Sequence, residues 1–238
     1  MATFVIIHGA WGGGWAWRRT VAPLLREAGH EVLTPTLTGL GERVHLANPD
    51  VDLETHIQDV VNTIVWEDLH DVVLVGHSYG GMVITGVADR IGDRLQHLVY
   101  LDAMVPAEGQ SLADLVDPSE QARQEMAARA VDGWRLQPGP ISPDLSPEMR
   151  AWAEPRRAAQ PLKTFTQPLA LTEGQGKDLP RVYVLCTAPG GDVFMRIAAR
   201  LRDDPAWRVE EFATGHNLHY TMAREVADLL IGVVSRES

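Results

Sequence analysis

Gly76-His77-Ser78-Tyr79-Gly80 decides how the rest of the chain is read, with Asp71-Val72-Val73-Leu74-Val75 before it and Gly81-Met82-Val83-Ile84-Thr85-Gly86-Val87 after it. The first flank is an apolar, β-branched run and the second has the spacing of a helix, so a G-x-S-x-G sits on a strand-to-helix turn. That is the pattern of a nucleophile elbow. The turn is tight enough to force the serine into strained backbone angles. Glycines two residues to either side remove the side chains that would collide where strand and helix approach. The Ser78 hydroxyl is thereby predicted to stand clear of the sheet with a backbone N–H beside it, as a nucleophile requires.

Working outward, short β-branched runs alternate with longer helical patterns. Strands are predicted at 3–8, 31–35, 71–76, 97–102, 181–187 and 207–212, and helices at 15–28, 53–66, 80–91, 193–202 and 221–234. This alternation predicts an α/β fold: a mostly parallel six-stranded sheet with helices on both faces. Right-handed crossovers place the strand C-termini along one edge, where sites in such sheets form. One segment departs from the alternation. The 78 residues between the fourth and fifth strands are rich in proline, contain Trp134 and Trp152, and hold two helical patterns at 121–130 and 147–157. The reading is a single domain spanning 1–238 with a small lid inserted at about 104–170.

The composition narrows the function. The chain has 238 residues, 45% of them hydrophobic, and a formal charge of −11 without a basic cluster, which argues against a nucleic-acid partner. No apolar run approaches the roughly 20 residues that span a bilayer. The N-terminus runs straight into a strand without the pattern of a signal peptide. Cys186, the one cysteine, has no internal partner for a disulfide, so the expectation is a cytoplasmic protein with a packed core thiol.

A serine hydroxyl needs a base, and nine histidines compete for that role. His8, His77 and His97 adjoin strands, and His30, His45, His56 and His70 belong to loops or helix surfaces. His216 follows the last strand in Ala213-Thr214-Gly215-His216, where a loop reaches back over the strand ends toward Ser78; it is the predicted base, with His219 one turn later as its competitor. An oxyanion needs two N–H donors. Tyr79 supplies one, immediately after the nucleophile. The loop His8-Gly9-Ala10-Trp11-Gly12-Gly13-Gly14 supplies the other, assigned to Ala10. This glycine-rich run matches neither G-x-x-x-x-G-K-[ST] nor G-x-G-x-x-G, so a phosphate loop is not indicated.

Together these motifs resemble the α/β-hydrolase superfamily, and within it the compact branch of plant methyl-ester esterases, hydroxynitrile lyases and bacterial esterases. Leu37-Thr38-Gly39-Leu40-Gly41-Glu42-Arg43 and Tyr100-Leu101-Asp102-Ala103-Met104-Val105-Pro106 are also similar to that branch. The resemblance implies a Ser–His–acid triad, no cofactor and no metal, and attack on an ester or similar acyl group. Two aspartates compete for the acid. Much of the branch carries it shortly after the strand preceding the histidine strand, where this chain reads Thr187-Ala188-Pro189-Gly190-Gly191-Asp192, with Asp192 arriving late and in a helix-capping position. Asp102 ends the previous strand at the same edge as Ser78, an acid placement also known in the superfamily, and is the preferred assignment.

Trp11, Met104, Trp134, Trp152 and Leu218 are the candidate lining of an apolar pocket beneath the lid, suited to a small aromatic or medium-chain ester or a lactone. Arg156 and Arg157 offer a partner for one carboxylate. Two rivals remain. A hydroxynitrile-lyase-like or biosynthetic tailoring enzyme uses the same scaffold, but the lyase relatives carry a threonine where this chain has Gly9, and Lys163 is the single lysine of the lid. A receptor-like binding protein is the rival from another class. The expected partner is a small-molecule ester; the oligomeric state is not indicated.

Overall fold

A computed structural model of the chain describes residues 1–188 and 192–235. Its centre is a six-stranded sheet, every strand parallel to its neighbours, formed by β1 (Thr3–Ile7), β2 (Glu31–Leu33), β3 (Val72–His77), β4 (Leu95–Leu101), β7 (Arg181–Cys186) and β8 (Trp207–Phe212) in the order β2-β1-β3-β4-β7-β8. Chain order reverses beside β1, so loops leaving β1 and β3 diverge and open a crevice at the C-terminal edge.

The inner strands are buried on both faces and feed two cores. Leu74 and Tyr100 face α3 (Leu53–Trp66) and α4 (Gly80–Ile91), whereas Val73, Val75 and Val99 face α1 (Gly14–Arg19), α2 (Val21–Glu27) and α11 (Ala223–Ser235). In α3 the buried residues Leu53, His56, Ile57, Val60 and Ile64 recur at helical spacing. Its start is fixed by a capping box, the Asp52 carboxylate accepting from Thr55 N–H at 2.9 Å.

One predicted helix is divided. The pattern at 15–28 forms α1 and α2, separated at Thr20 (φ −111°, ψ −83°). Pro23 lacks the N–H that a continuous helix would direct to the carbonyl of Arg19, and its ring would press on that carbonyl. The pattern at 221–234 forms α11, and a further short helix, α10 (Leu218–Thr221), precedes it across Met222.

Between β4 and β7 the chain forms α5 (Leu112–Val116), α6 (Glu120–Ala128), α7 (Pro147–Ala153), α8 (Lys163–Thr166) and an antiparallel pair, β5 (Arg135–Leu136) with β6 (Gln160–Pro161). The helix predicted to reach residue 157 ends at Ala153 and tightens into a 3₁₀ turn over Glu154–Arg156, which contains Pro155. This segment is tied to the loop after β1 through one residue. Trp11 donates its backbone N–H to Gln160 Oε1 at 3.0 Å and its indole N–H to the Leu136 carbonyl at 2.9 Å, and accepts from Ala158 N–H at 3.0 Å.

Candidate active site

Ser78 and Asp102 leave adjacent parallel strands, β3 and β4, in the left-handed backbone region, with φ of 55° and 45°. For residues other than glycine this conformation is strained. It turns both side chains off the sheet edge instead of along the strand. Close packing enforces the turn at Ser78: a Cβ at Gly76 would lie 2.8 Å from the carbonyl oxygen of Gly80, and one at Gly80 would lie 2.7 Å from that of Ile7.

The loop after β8 carries His216 into the same place. Its Nδ1 lies 2.6 Å from Asp102 Oδ2 and its Nε2 lies 2.9 Å from Ser78 Oγ. A carboxylate only accepts, so Nδ1 bears the hydrogen and Nε2 is left to accept the Ser78 hydroxyl proton. Asp102 is 2% exposed, and its other oxygen accepts from Cys186 N–H at 3.0 Å. Both oxygens are thus directed by specific donors, and the imidazole tautomer follows. Asp192 is an exposed residue at the start of α9 (Asp192–Arg202), and residues 189–191 before it lie outside the described residues.

A ring of buried histidines surrounds this chain. His77 Nε2–H donates to the backbone carbonyl of His216 at 2.8 Å, and the two rings stand 4.7 Å apart. Phe194 stacks on the His216 ring at 4.8 Å. Burial, with His216 next in effect, holds His77 well below the ordinary histidine range, so it is a neutral donor. His8 is pushed down to about 4 by burial; its Nδ1–H donates to the Gly9 carbonyl at 2.8 Å and its Nε2 accepts from Leu37 N–H at 3.1 Å. His219 stacks on Trp17 at 4.7 Å, and burial takes it down to about 3. Its contacts are with these rings and not with Ser78, which separates it from His216. His56, which spacing assigned to a surface, is fully buried; its Nε2–H donates to the Thr38 carbonyl and its Nδ1 accepts from the Tyr79 hydroxyl at 2.9 Å. That bond anchors the side chain next to the nucleophile. An isolated histidine in a helical pattern gave no sequence signal of this role.

Of the amides near Ser78, several are committed elsewhere: Trp11 N–H goes to Gln160 and Gly12 N–H to the Gly9 carbonyl. Among the described residues, no protein group takes the N–H of Ala10 or Tyr79. Gly9 lets this loop close on Ser78, since a Cβ there would lie 2.9 Å from both His77 Nδ1 and Ser78 Cβ.

A cavity of about 380 Å³ opens over Ser78 and His216, and Ala10, Trp11, Ile141, Arg157 and Tyr220 are among the residues that line it. Of the five predicted lining residues, Trp11 is in its wall and four are elsewhere. Met104 is buried beneath the turn, donating its N–H to the Ser78 carbonyl at 3.0 Å. Leu218 is fully buried in the core behind the sheet. Trp152 packs edge-on against Trp15 and lies under Arg19 and Arg156, and Trp134 lies under Arg135. These side chains serve packing because the segment between β4 and β7 turns other residues, among them Gln137, Ile141 and Arg157, toward the serine. Cys186 is buried with its thiol pKa raised by that burial, as suits a core residue. Among the described residues, no group of three or more His, Cys, Asp or Glu side chains is arranged to hold a metal, and no helix is long and apolar enough to cross a membrane.

Comparison with known proteins gives concordant results. Residues 4–229 match the family described as "Alpha/beta hydrolase family". A carbendazim hydrolyzing esterase from Nocardioides sp. (strain SG-4G) is 44% identical over 241 residues, covering 97% of this chain and 98% of the relative. A pyrethroid hydrolase from Sphingobium wenxiniae is 26% identical over 95% of this chain and 85% of its own length. Among solved structures, an extracellular alpha/beta-hydrolase from a Paenibacillus species superposes with a TM-score of 0.79 at 28% identity, covering 98% of each chain.

Proposed function

This chain belongs to the alpha/beta hydrolase family and is a hydrolase of the esterase kind, and we propose that it works as a serine carboxylesterase through an acyl-enzyme on Ser78. His216 accepts the Ser78 proton as Oγ attacks the ester carbonyl. Asp102 fixes the imidazole tautomer and stabilises the imidazolium that forms. The N–H groups of Ala10 and Tyr79 receive the oxyanion. His216 then protonates the departing alcohol, activates a water for deacylation, and returns the proton to Ser78. Residues 104–170 act as the lid over this site, with Trp11 as its hinge-side anchor.

The observation that carries this reading is the unbroken chain from Ser78 Oγ through both His216 nitrogens to Asp102, at 2.9 and 2.6 Å. Two further observations weigh against a lyase. A side chain at position 9 would collide with His77 and Ser78. Lys163 pairs with Asp50 at 2.9 Å and is not part of the cavity wall. The substrate class we assign is a small, largely apolar or aromatic carboxylic ester or lactone.

Hydrolysis of p-nitrophenyl and methyl aryl esters, with carbendazim included because of the Nocardioides relative, tests the proposal directly. Turnover that vanishes in Ser78→Ala, with rapid labelling of Ser78 by a fluorophosphonate, is the expected result. A wild-type protein that binds aryl esters without turning them over or being labelled would overturn it in favour of a ligand-binding role.

A further inference from the structure

Among the described residues, the wall of the catalytic cavity carries two arginines, Arg129 and Arg157, and no carboxylate residue. This inverts the balance of the chain, which has 32 acidic against 21 basic residues. Asp102 lies behind His216, with its oxygens committed to His216 and Cys186 N–H.

Arg157 is half-buried, yet few of its donors are used. Nη1 donates to the Gly139 carbonyl at 2.7 Å. Among the described residues it has no ion-pair partner; Glu154 acts on it only at longer range. A guanidinium has five N–H donors in a planar fork. A half-buried one that spends a single bond on a backbone carbonyl retains capacity for a bidentate anion. Burial pulls Arg157 below the usual guanidinium range, as expected for a charge removed from water without a counter-ion. Arg129, on the same wall, makes no side-chain hydrogen bond or ion pair among the described residues. The neighbouring arginine behaves differently: Arg156 lies over the Trp152 ring, donates to the Trp152 carbonyl at 2.6 Å, and borders an adjoining groove that Arg157 also reaches, without lining the catalytic cavity.

Resting on the hydrolytic reading of Ser78, we propose that Arg157, assisted by Arg129, forms an anion-recognition site within the catalytic cavity, and that the preferred substrate is an ester whose non-reacting end carries a carboxylate. The apolar wall at Trp11 and Ile141 takes the body of such a molecule while the guanidinium takes its far end. The anionic end also orients the ester, because only one orientation puts the carbonyl at Ser78 and the charge at Arg157.

The test compares p-nitrophenyl hydrogen glutarate with p-nitrophenyl valerate, which match in chain length and leaving group and differ in the terminal carboxylate. Wild type is expected to favour the glutarate ester in kcat/KM by about tenfold or more, the scale of one charge-assisted hydrogen-bonded pair, and the preference should shrink with added salt. In Arg157→Gln the ratio should fall to about one, in Arg157→Lys it should be intermediate because a point charge replaces the fork, and in Arg156→Gln it should be retained. Calorimetric titration with free glutarate gives a second reading: binding to wild type and loss of it in Arg157→Gln. Equal use of the two esters by wild type, or a preference unchanged in Arg157→Gln, overturns the proposal while leaving the esterase reading intact. If neither ester is hydrolysed and a fluorophosphonate fails to label Ser78, the hydrolytic reading falls, and glutarate binding then decides the Arg157 site by itself.

Discussion

His77 Nε2–H donates to the carbonyl oxygen of His216 at 2.8 Å, so the residue preceding Ser78 holds the backbone of the residue proposed to deprotonate it. The two are 139 positions apart in the chain. Replacing His77 with Phe keeps a ring against His216 but leaves that carbonyl without its donor. Misplacement of a reacting group by about 1 Å can lower a rate by about 100-fold. His77→Phe is therefore expected to lower kcat by about 10- to 100-fold with KM little altered, and to slow fluorophosphonate labelling of Ser78 in parallel. Labelling at the wild-type rate would show that the bond does not position the base.

Asp102 and Asp192 give opposite predictions. Asp102→Asn can retain the left-handed conformation, which asparagine tolerates, while presenting His216 with an amide in place of a carboxylate. The expected loss in kcat is about 10⁴-fold, the scale set by loss of the charged acid from a Ser–His–Asp triad. Asp192→Asn changes an exposed residue at the start of α9 and should leave activity within about twofold. Ester hydrolysis by the two variants side by side decides the matter, and a collapse confined to Asp192→Asn would reassign the acid.

Ser78 occupies φ 55°, so the proposed nucleophile is held at a strain that glycine would not feel. Ser78→Gly should abolish turnover and raise the unfolding free energy by about 1 kcal/mol, whereas Ser78→Ala should abolish turnover without that gain. Denaturant unfolding of the three proteins measures the difference. Equal stability of the Gly and Ala variants would mean that the elbow stores no usable strain.

The strands and the elbow were legible because their signals are local. Val72 to Val75 alternate between two buried faces, and Gly76 and Gly80 mark the close approach of β3, α4 and β1. The position of Asp102 was readable to the extent that strand ends share an edge; its bond to His216 needed distances. The cavity wall was least legible. Tryptophans there were read as lining because large apolar rings suit apolar ligands, but Trp134 and Trp152 satisfy guanidinium groups instead. The role of His77 was equally hidden, since its partner is a backbone carbonyl far along the chain.

Acid sensitivity follows from the buried histidines. His8 and His56 sit at about 4, His219 at about 3, and His77 well below the ordinary 6.5, each lowered first of all by burial. Between these values and 6.5 the unfolded chain binds protons that the folded chain refuses. Stability is accordingly full above about pH 6.5 and falls as pH drops toward 4, with a slope of up to about 1.4 kcal/mol per pH unit for each histidine. His219 isolates one of these contributions, because Phe can keep the stack on Trp17 at 4.7 Å and the buried Nδ1 of His219 has no hydrogen-bond partner among the described residues to lose. Urea unfolding at pH 7 and pH 5 should show a smaller acid loss for His219→Phe than for wild type, carboxylate effects cancelling in the comparison. Identical losses in the two proteins would mean that His219 is already protonated in the folded state at pH 5, contrary to its burial.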